Sequence, residues 1–193
     1  MPRSRANTVR IIGGSWRSRL LHFQDAQDLR PTPDRVRETL FNWLGQNLSG
    51  LSCLDLFAGS GALGFEALSR GAASVVMVER NPAVLRKLEE NAHKLGAKNL
   101  TLVRGDALEF ARRAERRFDL VFVDPPYRLR LQAAALALLP GLLAEGGRVY
   151  LESDAAYDPP PGWGILKHGR AGNVHFHLVE REPDDQGGLS GDI

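Results

Sequence analysis

Between residues 51 and 152, short apolar runs alternate with amphipathic stretches, and that rhythm predicts the fold. Residues 51–57 form an apolar run bounded by small residues, which suits a strand covered on both faces of a parallel sheet. A helical stretch follows from about Leu63 to Arg70 and stops at Gly71. Residues 74–79 read as the second strand, and Asn81-Pro82 caps a helix that ends at Gly96. Residues 100–104 make a third strand, Asp106 caps a short helix, and 118–123 make a fourth strand. An apolar helix over 131–143 and a fifth strand over 148–152 complete the series. Proline-rich residues 158–162 interrupt it. Beyond them, 164–168 and 174–181 flank a turn at 169–173 and close the chain with a β-hairpin. The prediction is an α/β fold: a doubly wound, mostly parallel, seven-stranded, Rossmann-like sheet with helices on both faces.

Upstream, β-branched residues 9–12, the turn signal Gly13-Gly14 and the extended stretch 18–23 predict a small N-terminal hairpin. Residues 1–8 have no apolar periodicity and are expected to be mobile. Arg30-Pro31-Thr32-Pro33-Asp34 opens a helix, with Thr32 as N-cap, Pro33 at the first helical position and Asp34 at the positive end of the dipole. Val36, Leu40, Phe41 and Leu44 form its buried stripe, Arg35, Glu38 and Asn42 lie on other faces, and it ends near Gly50. The polar, glycine-rich tail from Pro183 is expected to be disordered. The expected organisation is a basic arm over 1–28, a main domain over 29–182 and a tail over 183–193.

Composition narrows the class. With 193 residues and 43% hydrophobic content the chain can bury one substantial core. It has no run of about 18 apolar residues and no apolar signal-peptide core, so a cytoplasmic protein is expected. Its one cysteine, Cys53, excludes an internal disulfide and reads as a small core residue. The net charge of +2 is unevenly spread: residues 1–37 hold eight arginines against three acids, a local +5. Such a segment suits a phosphate backbone, though arginine is abundant throughout and basic tails also serve as solvated surface. Arg10, Arg17 and Arg19 on the hairpin, with Arg30 and Arg35 beyond it, are candidate RNA contacts. Trp16 among them either stacks on a base or anchors the arm to the body.

The candidate chemistry sits where strands end. Gly59, Gly61 and Gly64 turn the first strand into a helix in G-x-G-x-x-G spacing, which lets a nucleotide-like ligand approach main-chain amides. Glu79, ending the second strand, can accept bonds from both hydroxyls of a ribose. Asp106 can take an adenine amino group, act as a helix cap, or do both. Asp124-Pro125-Pro126-Tyr127 follows the fourth strand directly. The prolines remove two backbone donors, so a carboxylate and carbonyls form a wall of acceptors suited to an exocyclic amine, beside a tyrosine face for the base. A dehydrogenase would require a catalytic His or Lys here, and none is present. His175 and His177 face one side of a strand without further ligands at suitable spacing, so no metal site is expected.

The segments DLFAGSGALGFEALSRGA (55–72), VERN (78–81), GDA (105–107) and DPPY (124–127) resemble the motifs of class I S-adenosylmethionine-dependent methyltransferases that modify exocyclic amines. RIIGG (10–14), LRPTPDRVRETLFNWL (29–44) and GRAGNVHFHLVER (169–181) are similar to one branch, the bacterial RsmD family of small-subunit ribosomal RNA guanine-N2 methyltransferases. The family's frequent second Thr at the helix start is Pro33 here. The resemblance implies that Asp55 and the backbone of Phe57, Ala58, Gly59, Ser60 and Gly61 hold the methionine part of S-adenosylmethionine. Glu79 would take the ribose hydroxyls, and Asp106 with Ala107 the adenine, with Arg80 also among the cofactor-binding residues. Asp124, Pro125, Pro126 and Tyr127 would orient the target amine, with 16S ribosomal RNA in an assembling small subunit as partner and the protein a monomer. An adenine-N6 DNA methyltransferase is the competing enzyme reading, disfavoured by the lack of a target-recognition domain. A non-catalytic RNA-binding assembly factor is the competing non-enzyme reading, disfavoured by the intact motif carboxylates.

Overall fold

In the computed structural model, which describes residues 7–24 and 31–183, the sheet is built as the apolar rhythm predicts. The parallel strands are β3 (Ser52–Asp55), β4 (Ser74–Glu79), β5 (Leu100–Arg104), β6 (Phe118–Val123) and β7 (Leu143–Ser153). They are joined by β8 (Trp163–Ala171) and β9 (Val174–Arg181), in the spatial order β5-β4-β3-β6-β7-β9-β8. Contacts from β5 through β7 are parallel, whereas β7–β9 and β8–β9 are antiparallel. A separate antiparallel pair, β1 (Thr8–Arg10) and β2 (Leu20–His22), forms the N-terminal hairpin around a 3-10 turn at Gly14–Trp16.

Strand alternation divides the core between two faces. Cys53, Val75, Met77, Leu120, Phe122 and Tyr150 pack toward α1 (Asp34–Trp43), α2 (Ala62–Ser69) and α3 (Pro82–Leu95). Leu54, Val76, Val78, Val121, Val149 and Leu151 pack toward α4 (Ala107–Arg113) and α5 (Gln132–Leu138). Cys53 has no exposed surface, and burial, with the charges of Asp119 and Asp55, pushes its thiol up to about 12. It is therefore expected to resist Ellman's reagent at pH 8 in the native protein and to react once denatured. Rapid native labelling would contradict this placement.

Several local expectations hold. Asn81 accepts bonds from Ala83 N and Val84 N, and α3 closes at left-handed Gly96. Asp106 caps α4 through Leu108 N and Glu109 N. Others need correction. Thr32 is not a cap: Pro33 occupies the cap position of α1 with no side-chain bond, and α1 stops at Trp43 rather than near Gly50. The predicted helix over 131–143 covers only Gln132–Leu138, because Pro140 lacks the donor a helix needs. A 3-10 turn then leads into β7, which begins at Leu143. Leu44 is partly buried and packs against the core, and the stripe gains Arg37, which is fully buried. Arg37 thus leaves the surface charge of the basic segment. Of the start expected to be mobile over 1–8, Thr8 already pairs with His22 in β1, whereas residues 1–6, Arg30 and the tail from 184 lie outside the described residues.

Arg37 is buried because it is matched. Its guanidinium bonds Glu66 Oε2 at 3.1 Å, Asp34 Oδ1 at 2.5 Å, and the carbonyls of Thr32 and Arg10. Glu66, also fully buried, takes Arg70 Nε at 2.9 Å and the backbone N–H groups of Ile12 and Gly13 at 2.9 and 2.8 Å. The hairpin is therefore fastened to α1 and α2 through one carboxylate, with Asn91 of α3 bonding both backbone groups of His22. Among the described residues no helix is long and apolar enough to cross a membrane.

Candidate active site

Strand order decides where the chemistry can gather. β3 and β6 are adjacent and parallel, with Asp55 opposite Phe122, so the loops that leave both strands open at one end of the sheet. That is the point where the winding direction reverses, the usual ligand crevice of such sheets. Asp55 ends β3, the glycine turn follows it, and Asp124 lies one residue beyond β6.

The turn is built for backbone approach. Gly61 has φ +76°, and a Cβ there would sit 2.6 Å from Leu88 Cδ2, so the helix starts only on glycine. Gly64 N–H donates to Asp55 Oδ2 at 3.1 Å. Burial pushes the Asp55 carboxyl up to about 7, with the Gly64 bond opposing and the Glu79 charge adding. Such a carboxyl gains its charge readily when a cation settles beside it. Glu79 accepts from Gly59 N at 3.1 Å and Asn81 N at 2.7 Å, and each oxygen keeps a lone pair for a further donor. Both cap bonds of Asp106 fall on Oδ1, leaving Oδ2 for an incoming group. Arg80 is exposed, and Ala107 is buried under the α4 start.

Around Asp124 the structure adds residues that sequence patterns left unmarked. Thr32 Oγ1 donates to Asp124 Oδ2 at 3.3 Å across 92 residues, instead of capping its own helix. Glu152, 3% exposed at the end of β7, accepts from Tyr127 OH at 2.6 Å and from Tyr150 OH at 2.8 Å. Gln132 holds the Glu152 carbonyl at 3.0 Å. Burial lifts the Asp124 carboxyl well above its ordinary range, helped by the charges of Glu152 and Asp55 and opposed by the Thr32 bond. Glu152 is raised by burial against its hydroxyl donors, and both phenols are held protonated by burial and by the Glu152 charge. Pro125 is buried, and Pro126 and Tyr127 are half-buried.

The hairpin residues divide. Arg10, Arg17, Arg19 and Arg35 are exposed, and Arg19 bonds the Lys94 carbonyl at 3.1 Å. Trp16 is half-buried, packs against the core and bonds Ser69 Oγ through its backbone N–H. A cavity of about 390 Å³ lies between hairpin and α1, bordered by Arg10, Leu20, Phe23, Pro31, Thr32 and Pro33. It meets the strand-end site at Thr32. A larger cavity of about 540 Å³, bordered by Arg17, Glu38, Asn42, Gln46 and Arg70, involves no strand-end residue. Among the described residues no three His, Cys, Asp or Glu side chains cluster as a metal site would need.

Known proteins resemble this chain in sequence and in fold. The family described as conserved hypothetical protein 95 matches residues 9–180. Ribosomal RNA small subunit methyltransferase D of Escherichia coli K12 is 43% identical over 184 residues, covering 93% of each chain. Its namesake in Haemophilus influenzae is 39% identical over 180 residues, covering 89% of this chain and 93% of that one. A solved structure called a putative methyltransferase yhhF from Escherichia coli superposes with a TM-score of 0.83 at 42% identity, over 91% of this chain and 98% of that one. A ribosomal protein L11 methylase from Lactobacillus delbrueckii subsp. bulgaricus has a TM-score of 0.61 at 20% identity, covering 76% of this chain and 79% of that one, a likeness of fold alone.

Proposed function

The chain belongs to the conserved hypothetical protein 95 family, the RsmD family of methyltransferases, and from that premise we propose that it methylates the exocyclic N2 amine of a guanine in small-subunit (16S) ribosomal RNA, within an assembling small subunit and with S-adenosylmethionine as methyl donor. The observation that carries this reading is the meeting of two loops at one sheet end: the glycine turn after β3 and the acceptor-rich tetrad after β6.

The residues present fit that donor. Asp55 and the backbone of Phe57 to Gly61 would hold its cationic methionine part, Glu79 the ribose, and Asp106 with Ala107 the adenine, with Arg80 at the rim of the cofactor site. The bound donor supplies an already activated sulfonium methyl. What remains for the protein is alignment, which is worth several kcal/mol. Asp124 and the Pro125 carbonyl accept the amine's N–H groups and draw its lone pair back from the ring toward nitrogen, while Tyr127 offers its face to the base. Thr32 occupies one oxygen of Asp124, which leaves Oδ1 for the amine. The exposed Arg10, Arg17, Arg19 and Arg35, with Arg30, hold the RNA backbone. The small cavity between Arg10, Leu20 and Phe23 offers a base platform next to the Thr32–Asp124 contact.

The test is labelled methyl transfer onto unmodified 16S ribosomal RNA, naked and in partly assembled small-subunit particles, followed by digestion to nucleosides. N2-methylguanosine is expected. N6-methyladenosine, or cofactor binding with no transfer to either form, would overturn the reading.

A further inference from the structure

A buried carboxylate needs a reason to exist. Taking Glu152 out of water costs several kcal/mol, and an apolar residue ending β7 would pack at no such cost. Its surroundings are nonetheless complete: Tyr127 OH fills Oε1, Tyr150 OH fills Oε2, and Gln132 fixes its backbone carbonyl. Tyr150 and Glu152 are two residues apart on one strand and so face the same side of the sheet, the side from which Thr32 reaches Asp124. Five side chains from three separate segments thus form a single set, in which three hydroxyls serve two carboxylates.

We infer that Glu152 is a positioning residue for methyl transfer: it locks the Tyr127 ring by its hydroxyl and, as a second carboxyl beside Asp124, keeps Asp124 able to accept the proton that the methylated amine sheds. The inference rests on the methyltransferase reading above. In the step itself the amine nitrogen forms a bond to the methyl carbon as the carbon–sulfur bond breaks, and that electron pair stays on sulfur. Nitrogen, now bearing four bonds, releases one proton to Asp124 Oδ1, and the resulting carboxylic acid later returns it to water. A lone, well-solvated aspartate is a weak base for this task. One faced by Glu152 on β7 and Asp55 on β3, with Tyr127 and Tyr150 beside it, binds a proton more firmly, and only the Thr32 hydroxyl opposes that. Thr32 and Glu152 therefore pull the same carboxyl in opposite directions.

That opposition supplies the test. The Asp124 carboxyl is titrated by carbon-13 NMR in the cofactor-free protein, as wild type, Glu152→Gln and Thr32→Val. In parallel, single-turnover methyl transfer to small-subunit particles is followed against pH. Activity rises with pH as Asp124 loses its proton. In Glu152→Gln both the titration and the rising limb should move to lower pH by about one unit, with the plateau rate down about tenfold or more. In Thr32→Val both should move to higher pH. Tyr127→Phe keeps the Glu152 carboxyl and removes only the ring's anchor, so it should lower the rate with a smaller downward shift of the titration than Glu152→Gln. If wild type transfers methyl groups but the NMR titrations of Glu152→Gln and Thr32→Val superimpose on wild type, the inference is wrong while the function stands. If wild type transfers nothing to any RNA, the function itself has failed, and the NMR shifts still report whether Glu152 governs Asp124.

Discussion

Replacing Asp124 with alanine is expected to lower methyl transfer at least about a hundredfold while leaving affinity for S-adenosylmethionine within about twofold of wild type. The variant removes the acceptor that faces the amine, whereas the cofactor groups belong to Asp55, the glycine turn, Glu79 and Asp106. The protein should fold at least as well. A carboxyl whose proton affinity is raised on folding contributes stability at low pH, below its unfolded pKa, and loses it as pH climbs through the folded value. Charging it beside Glu152 and Asp55 is therefore a cost, and alanine removes that cost. Calorimetric cofactor titration and single-turnover rates measure the two quantities separately, and turnover like wild type would refute the assignment.

The second large effect is on stability. Glu66→Ala is expected to cost about 3–5 kcal/mol, because it strands Arg37 and Arg70 without their shared carboxylate and leaves two hairpin N–H groups unpaired. For a chain of this size that is a fall of about 10 °C in melting temperature. Glu66→Gln, which keeps an oxygen and the volume, should lose less. The damage should reach function through the hairpin: cofactor affinity persists, while use of RNA weakens as Arg10 and Arg17 lose their footing. Melting of Glu66→Ala within about 1 °C of wild type would show that the network carries little of the stability.

The network shows why part of the molecule was illegible in the chain. Arg37 stands in a helix that begins with charged residues and reads as basic surface, and Glu66 stands in a helix of eight buried residues with Arg70 as a partner one turn on. What no local pattern shows is their contact with each other, 29 positions apart. Thr32 shows the same limit at the site: its neighbours describe a helix cap, yet Asp124 lies within reach and takes the hydroxyl instead. Trp16 was open between stacking on a base and anchoring the arm, and its half-buried ring packs against the core.

By itself the sequence determined the parallel strands and their order along the chain, the caps at Asn81 and Asp106, the glycine turn and the tetrad after β6. These are written in short-range patterns: alternation every second residue, caps two or three residues from their donors, glycines where no Cβ fits. The tertiary structure alone decided that Thr32 meets Asp124, that Tyr127 meets Glu152, and that one buried carboxylate, Glu66, holds the hairpin. These partners lie from 25 to 92 positions apart. Periodicity tells a side chain which face to take, but only the stacking of helix on sheet brings it opposite one particular group.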